Sequence, residues 1–223
     1  MSESNRKQVS SALLENELID FCESETLSEI GLHELIERFG LESNNDSQLS
    51  GYYFFLDACS NERVTEGIIR YLLEIFPDAA NFTDEDGGAA PLHFACNNRN
   101  VTVNIIQLII DAAPDSVRSA TSEGWMPLHF LCGNRKLDEA VTIQILKLLL
   151  EKHPEGARHA HNHGLFPIHV AAGTKSPDLC RVLIEAYPGS ERITDAGGRL
   201  PLHCACLRGS LATVKYLYGL STV

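Results

Sequence analysis

A tripeptide of proline, an aliphatic residue and histidine recurs four times along the sequence. It occurs as Pro-Leu-His at residues 91–93, 127–129 and 201–203, and as Pro-Ile-His at 167–169. A glycine lies three residues before each proline, and successive prolines are 36, 40 and 34 residues apart. Self-similarity at such a period indicates an array of one stacked supersecondary unit. The pattern therefore predicts a repeat protein in which each unit packs on its neighbours.

Each copy of the motif predicts a turn that leads into a short helix. The glycine supplies the positive φ of a tight turn, and the proline suits the first helical turn, where its missing N–H costs nothing. A second apolar run with helical spacing follows each copy, and proline ends this run after the first three copies. Each unit is therefore a pair of helices. The second helices are expected to share one core column, made of Leu35, Leu72, Ile109, Leu149, Leu183 and Leu217.

The same register extends towards the N-terminus. FFLDAC at 54–59 aligns with PLHFAC, and HELIERFG at 33–40 aligns with the end of a second helix. We therefore expect a disordered tail at 1–9, an acidic helical N-terminal cap formed by a degenerate repeat at 10–50, and an array of five units at 51–223. Helices at 11–22 and 28–39 are predicted for the cap.

The motif, its period and its glycine turn resemble those of ankyrin repeats over residues 51–220. The resemblance implies an all-α fold, an ankyrin-repeat solenoid of stacked helix-turn-helix units with short β-turn fingers. One position departs from the family pattern. Instead of the threonine that usually precedes the proline, this chain has Ala90, Met126, Phe166 and Leu200. None of these side chains accepts a hydrogen bond at a helix N-terminus, so the first helices must be stabilised in another way.

The resemblance also implies a protein–protein interaction scaffold, which binds its partner through the turn tips and the concave face of the array. Trp125, Leu165 and Arg199 each follow a finger glycine, and tryptophan and arginine contribute strongly to interfaces. The alternative for Trp125 is a structural role against the neighbouring finger. Carried over by position, the partner-binding residues are Trp125, Leu165, Arg199, Glu123, His163, Asn97, Asn98, Asn134 and Arg208.

Histidines raise a competing hypothesis. The four motif histidines are expected to bridge backbone groups of adjacent turns. His159, His161 and His163 alternate in an extended arm, and three imidazoles could bind zinc, nickel or copper. The alternative function is therefore a metal-binding or metal-dependent protein built on this cluster. We expect no metal and no other cofactor, because no carboxylate or cysteine completes the set nearby in sequence.

Other chemical motifs are absent from the sequence. It contains no phosphate-binding glycine loop, nucleophile elbow or zinc-protease helix motif, so an enzyme is not expected. Four of the seven cysteines, Cys59, Cys96, Cys132 and Cys206, share one position of the repeat. That position accommodates a small apolar residue, and we expect these thiols to be reduced core residues.

Charge limits the choice of partner. The formal net charge is −12, and residues 1–50 hold 11 acidic against 3 basic side chains. No basic stripe is visible, so neither nucleic acid nor a membrane is an expected partner. A cytoplasmic or nuclear protein is expected, because no apolar run approaches the roughly 18 residues of a spanning helix. The apolar C-terminal helix predicts self-association or another cover at that face.

Overall fold

The computed structural model describes residues 3–40, 49 and 51–221. Over these residues the protein forms α-helices and short 3-10 turns and contains no β-strand. The α-helices follow one another as pairs. They are α1 Glu3–Glu23, α2 Glu29–Phe39, α3 Tyr53–Ser60, α4 Glu66–Ile75, α5 Pro91–Asn97, α6 Val103–Ala112, α7 Pro127–Gly133, α8 Glu139–Lys152, α9 Pro167–Thr174, α10 Pro177–Ala186, α11 Pro201–Arg208 and α12 Leu211–Ser221.

The chain divides into two compact units. The first contains α1 to α6, and the second contains the finger residues Gly87–Ala89 and the chain from Val117 onwards. Within the first unit, α3 packs against α1 and α5, and α4 packs against α2 and α6. Within the second, α9 packs against α7 and α11, and α10 packs against α8 and α12. First helices stack on first helices and second on second, which is the predicted repeat packing.

The N-terminal segment departs from its prediction. We expected a disordered tail at 1–9, but α1 begins at Glu3; Met1 and Ser2 lie outside the described residues. The segment from residue 3 to 9 contains no glycine or proline, and charged residues with long side chains are good helix formers. The polar start therefore continues the helix that buries Leu14 and Leu18.

The second helices end at the predicted prolines. The residue before each proline has φ between −127° and −146° and ψ between 71° and 85°, outside the α region. A proline ring clashes with a preceding residue in helical conformation, so the helix must stop there. The six residues expected in the core column of these helices are all buried, at most 9% exposed.

Tight turns form the fingers before the first helices. Gly88, Gly124, Gly164 and Gly198 have φ between 71° and 84°, as predicted. Neighbouring fingers also approach closely, because a Cβ on Gly164 would lie 2.5 Å from the amide nitrogen of Ala196. Glycine is therefore required both for the turn and for the packing of one finger on the next.

The motif histidines replace the missing threonine caps. Each accepts, through Nδ1, a hydrogen bond from the backbone N–H three residues earlier; the donors are Ala90, Met126, Phe166 and Leu200, at 2.9–3.2 Å. In the second unit, Nε2 of His129 lies 3.2 Å from the carbonyl oxygen of Leu165, and Nε2 of His169 lies 3.0 Å from that of Arg199. The predicted bridging role is confirmed for these two histidines.

Conventional caps occur instead at the second helices. Thr65 and Thr102 each accept a 3.2 Å bond from the backbone N–H three residues later. The same hydroxyls donate to the second helix of the preceding repeat, from Thr65 to Glu29 at 2.5 Å and from Thr102 to Glu66 at 3.5 Å. Ser176 also donates to the carboxylate of the preceding second helix, at Glu139. One side chain thus caps its own helix and links it to the previous one.

Cysteine packing agrees with the prediction except at the last position. Cys59, Cys96 and Cys132 are buried, and burial raises the pKa of the Cys59 and Cys132 thiols. Cys206 was expected in the same core position but is exposed. Its helix, α11, packs on α9, α12 and the 3-10 turn Ser190–Arg192, which leave this thiol uncovered. The prediction of a core role is therefore wrong for Cys206.

Burial of Met126 determines the effect of restoring the threonine of the family pattern. Met126 is 2% exposed, and its N–H already has His129 as acceptor. We expect Met126→Thr to destabilise the protein by about 1–3 kcal/mol, because it removes buried apolar volume and adds a hydroxyl to the core. Urea unfolding monitored by circular dichroism measures the change. Leu200→Thr is the matched control at a half-buried position, and an equal loss there would contradict this explanation.

Candidate functional site

Three successive fingers of the second unit border one groove. Trp125, Leu165 and Arg199 each follow a finger glycine and line a groove of ≈350 Å3. Arg208, at the end of α11, lines the same groove. Four of the predicted partner-binding residues therefore lie together on one surface, which is concave and mainly apolar, as ligand-binding sites commonly are.

The floor of this groove was not predicted. It includes Val170 and Cys204, each directly after a motif histidine. The equivalent residues of α5 and α7 are Phe94 and Phe130, and all four positions are half-buried. Two smaller side chains in α9 and α11 leave room that phenylalanine fills in the earlier helices. A comparison of side-chain size at this repeat position is the sequence signal that would have revealed the groove.

Trp125 is held firmly in its finger. Its ring stacks on His161 with a centroid distance of 4.1 Å and an interplanar angle of 28°, and it meets His129 edge-on at 5.6 Å. The indole N–H donates to a carboxylate oxygen of Glu123 at 3.3 Å. The residue nevertheless stays partly exposed. Trp125 therefore packs on the neighbouring finger, as the structural alternative predicts, and it also borders the groove.

A buried carboxylate positions Arg199. Asp195 is 5% exposed and accepts bonds from the backbone N–H groups of Gly197 and Arg199 and, at 2.7 Å, from Nε of Arg199. Burial alone would raise the pKa of Asp195, but these hydrogen bonds outweigh it and hold the pKa below its ordinary value. Asp195 therefore stays ionised, and it fixes the guanidinium by its Nε side while half of the arginine side chain remains exposed.

Two predicted contact residues are not available to a partner. Asn98 and Asn134 are 4% and 3% exposed. Because α5 and α7 are seven residues long, these asparagines follow the helix as its C-cap. Asn98 donates back to the carbonyls of Cys59 and Asn61 at 3.0 and 2.8 Å, and Asn134 accepts from the amides of Lys136 and Leu137. Their assignment as partner-binding residues is wrong, since both are structural.

The remaining predicted residues are exposed but differently placed. Asn97 ends α5 in the first unit, and Glu123 and His163 lie at finger tips of the second. The carbonyl of Glu123 accepts from the amide of Asn162 at 2.9 Å, and that of His163 accepts from the amide of Ala196 at 3.3 Å. These bonds connect successive fingers, so Glu123 and His163 extend the surface beside the groove.

The histidine arm serves the fingers rather than a metal. Nε2 of His159 lies 3.1 Å from the carbonyl of Gly124, and Nδ1 of His161 accepts from the amide of His163 at 2.9 Å. Burial, with a smaller contribution from His163, lowers the pKa of His161. Among the described residues, no group of three or more histidine, cysteine or acidic side chains could hold a metal ion. The metal-binding alternative therefore finds no site in the part of the chain that the structure describes.

Comparison with known proteins agrees with this geometry. Residues 137–222 match the family model of ankyrin repeats, in three copies. No curated protein matches the sequence. The matched segment contains α8 to α12, whose fingers, proline-led helices and motif histidines have just been described. This part of the chain is similar to ankyrin repeats, and the all-α repeat fold predicted from the motif is confirmed.

One further finding concerns membranes. In the part of the chain that the structure describes, no helix has the length and apolar character needed to cross a bilayer.

Acid is expected to destabilise the second unit through His129. Burial, followed by the neighbouring His159, lowers the pKa of His129 to about 3 from an ordinary 6.5. Below about pH 6.5 the His129 imidazole is therefore protonated in the unfolded chain but remains neutral in the folded chain. The free energy of unfolding consequently falls as the pH drops from 6.5 towards 3. Between pH 7.5 and 5 we expect His129 to account for a loss on the order of 2 kcal/mol, measured by urea unfolding at each pH.

A suitable variant for this test is His129→Gln, because a glutamine at this helix position also accepts from the N-cap amide but does not titrate. We expect the variant to lose most of the pH dependence. His203→Gln changes the same motif position in an exposed ring. An unchanged pH dependence in His129→Gln, or an equal reduction in both variants, would contradict the assignment.

Proposed function

We propose that this protein is an interaction scaffold that binds a protein partner in the groove bordered by Trp125, Leu165 and Arg199. Ankyrin repeats are generally protein-interaction modules, which supports the class of function. The observation that carries the proposal is the placement of these three residues, from three successive fingers, around one groove. The proposal includes a cytoplasmic or nuclear location and no catalytic activity.

The groove has the composition of a binding hot spot. A tryptophan and an arginine, the residues most enriched at such sites, lie beside aliphatic side chains. Both are already fixed, Trp125 by the ring of His161 and Arg199 by Asp195. Pre-ordered side chains lose little conformational entropy on binding. A partner that fills this groove therefore gains contact area without ordering the surface first.

Truncation of the groove residues tests the proposal. We expect Trp125→Ala to weaken binding by about 2 kcal/mol or more, and Leu165→Ala and Arg199→Ala to weaken it as well. Proteins captured from an extract of the native source by the wild type are identified, and their affinity for each variant is measured by calorimetry. Ile30→Ala is the control, because Ile30 is an exposed aliphatic residue of the first unit.

Two results separate the outcomes of this experiment. Unchanged affinity in all three groove variants would overturn the proposal. A loss of helical circular dichroism in Trp125→Ala alone would assign that residue to the structure, and the decision would then rest on Leu165→Ala, which removes a partly exposed side chain.

Self-association through the C-terminal face remains a prediction of its own. Leu211 and Tyr218 of α12 are 70% and 62% exposed, and large exposed apolar side chains favour association. We expect light scattering to show a mass above that of the monomer at high protein concentration, and Tyr218→Lys to restore the monomer. A wild type that stays monomeric at all concentrations would contradict this prediction.

A further inference from the structure

We infer that the groove selects a partner segment in which an aspartate or glutamate side chain lies next to a large apolar residue. The inference rests on the proposed function, because it specifies the chemistry of the partner that the same groove binds. Two guanidinium groups and an apolar lining carry it.

Positive charge is concentrated at this groove in an otherwise acidic protein. Arg199 and Arg208 line it, and among the described residues that line it there is no carboxylate. Asp195 occupies Nε of Arg199, which leaves the terminal nitrogens of that guanidinium for another acceptor. Arg208 is exposed and has no acidic partner in the described part of the chain. Arg208 therefore brings a positive charge that no carboxylate lining the groove balances, and Arg199, although paired with Asp195 through Nε, keeps its terminal N–H groups for a second acceptor.

A single carboxylate suits this pair better than the phosphate backbone of a nucleic acid. Guanidinium groups bind carboxylate and phosphate in the same forked geometry. The chain, however, has a net charge of −12, which repels the long polyanionic backbone of a nucleic acid. A single side-chain carboxylate brings one charge to the arginines and no extended charge towards the remaining acidic surface.

Apolar side chains next to the arginines determine the rest of the partner. Trp125, Leu165 and Leu207 border the groove, and Leu207 is 68% exposed. A leucine, isoleucine or phenylalanine of the partner buries these surfaces, and the resulting exclusion of water strengthens the neighbouring ion pair. At ≈350 Å3, against roughly 30 Å3 for one water molecule, the groove accommodates more than one side chain.

The structure also provides a variant that closes the groove. Cys204 lies on its floor, and phenylalanine occupies the equivalent position in α5 and α7. Cys204→Phe therefore introduces a side chain that this repeat position accepts elsewhere in the protein. Trp125, the only tryptophan, provides a fluorescence signal at the groove itself.

The experiment is a selection from a displayed library of random 12-residue peptides, with Cys204→Phe as the counter-selection target. Selected sequences are synthesised with acetylated and amidated ends and titrated into the protein while Trp125 fluorescence is recorded. We expect an acidic residue within two positions of a large apolar residue, affinity that falls with added salt, and at least about tenfold weaker binding to Arg208→Gln. Arg70→Gln, an exposed arginine of the first unit, is the matched control with unchanged binding.

The other outcomes contradict either the inference alone or both the inference and the proposed function. Peptides that require the open groove but lack an acidic residue, or that bind Arg208→Gln as well as the wild type, overturn the inference and leave the proposed function standing. Peptides that bind only with a free C-terminal carboxylate also overturn it. If no peptide prefers the wild type to a Cys204→Phe variant with normal circular dichroism, both the inference and the proposed function fail.

Discussion

The two hydrogen bonds of a neutral histidine connect the helix starts of the second unit to the edge of its groove. In His129 and His169, Nδ1 accepts from the amide at the start of its own helix, and Nε2 faces the carbonyl of the next finger. The carbonyls are those of Leu165 and Arg199, which both line the groove. The helix start and the groove edge are therefore fixed by one ring, and only the neutral tautomer with its proton on Nε2 can make both bonds.

Local rules predict the fold of this chain well because the same rules apply in each helix-pair repeat. Glycine at positive φ, proline at the first helical turn and proline after the second helix each act within a few residues, so sequence position determines structure. One kind of failure occurred where a side chain bonds to a different repeat. Asn98 and Asn134 look like exposed loop residues in sequence, but α5 and α7 are one residue shorter than α9 and α11, which makes these asparagines C-caps. Asn98 then donates to the preceding repeat.

The candidate site was predictable in part for the same reason. Trp125, Leu165 and Arg199 share a repeat position, so stacking alone brings them to one surface. The depth of that surface depends on side-chain volume at another position, which becomes visible only when helices are packed side by side. The histidine arm could not be interpreted from sequence alone, because the spacing of three imidazoles does not show that His159 and His161 each bond a backbone group of the fingers.

The residue after the motif histidine has a wider consequence. Phenylalanine, phenylalanine, valine and cysteine occupy it in α5, α7, α9 and α11, whereas the hydrogen bonds described above that join successive fingers come from backbone groups and histidine rings. Different positions of the repeat thus determine the shape of the surface and the contacts between stacked repeats. A repeat protein built in this way can acquire, relocate or lose a recognition site through single substitutions, while the scaffold that presents it stays the same.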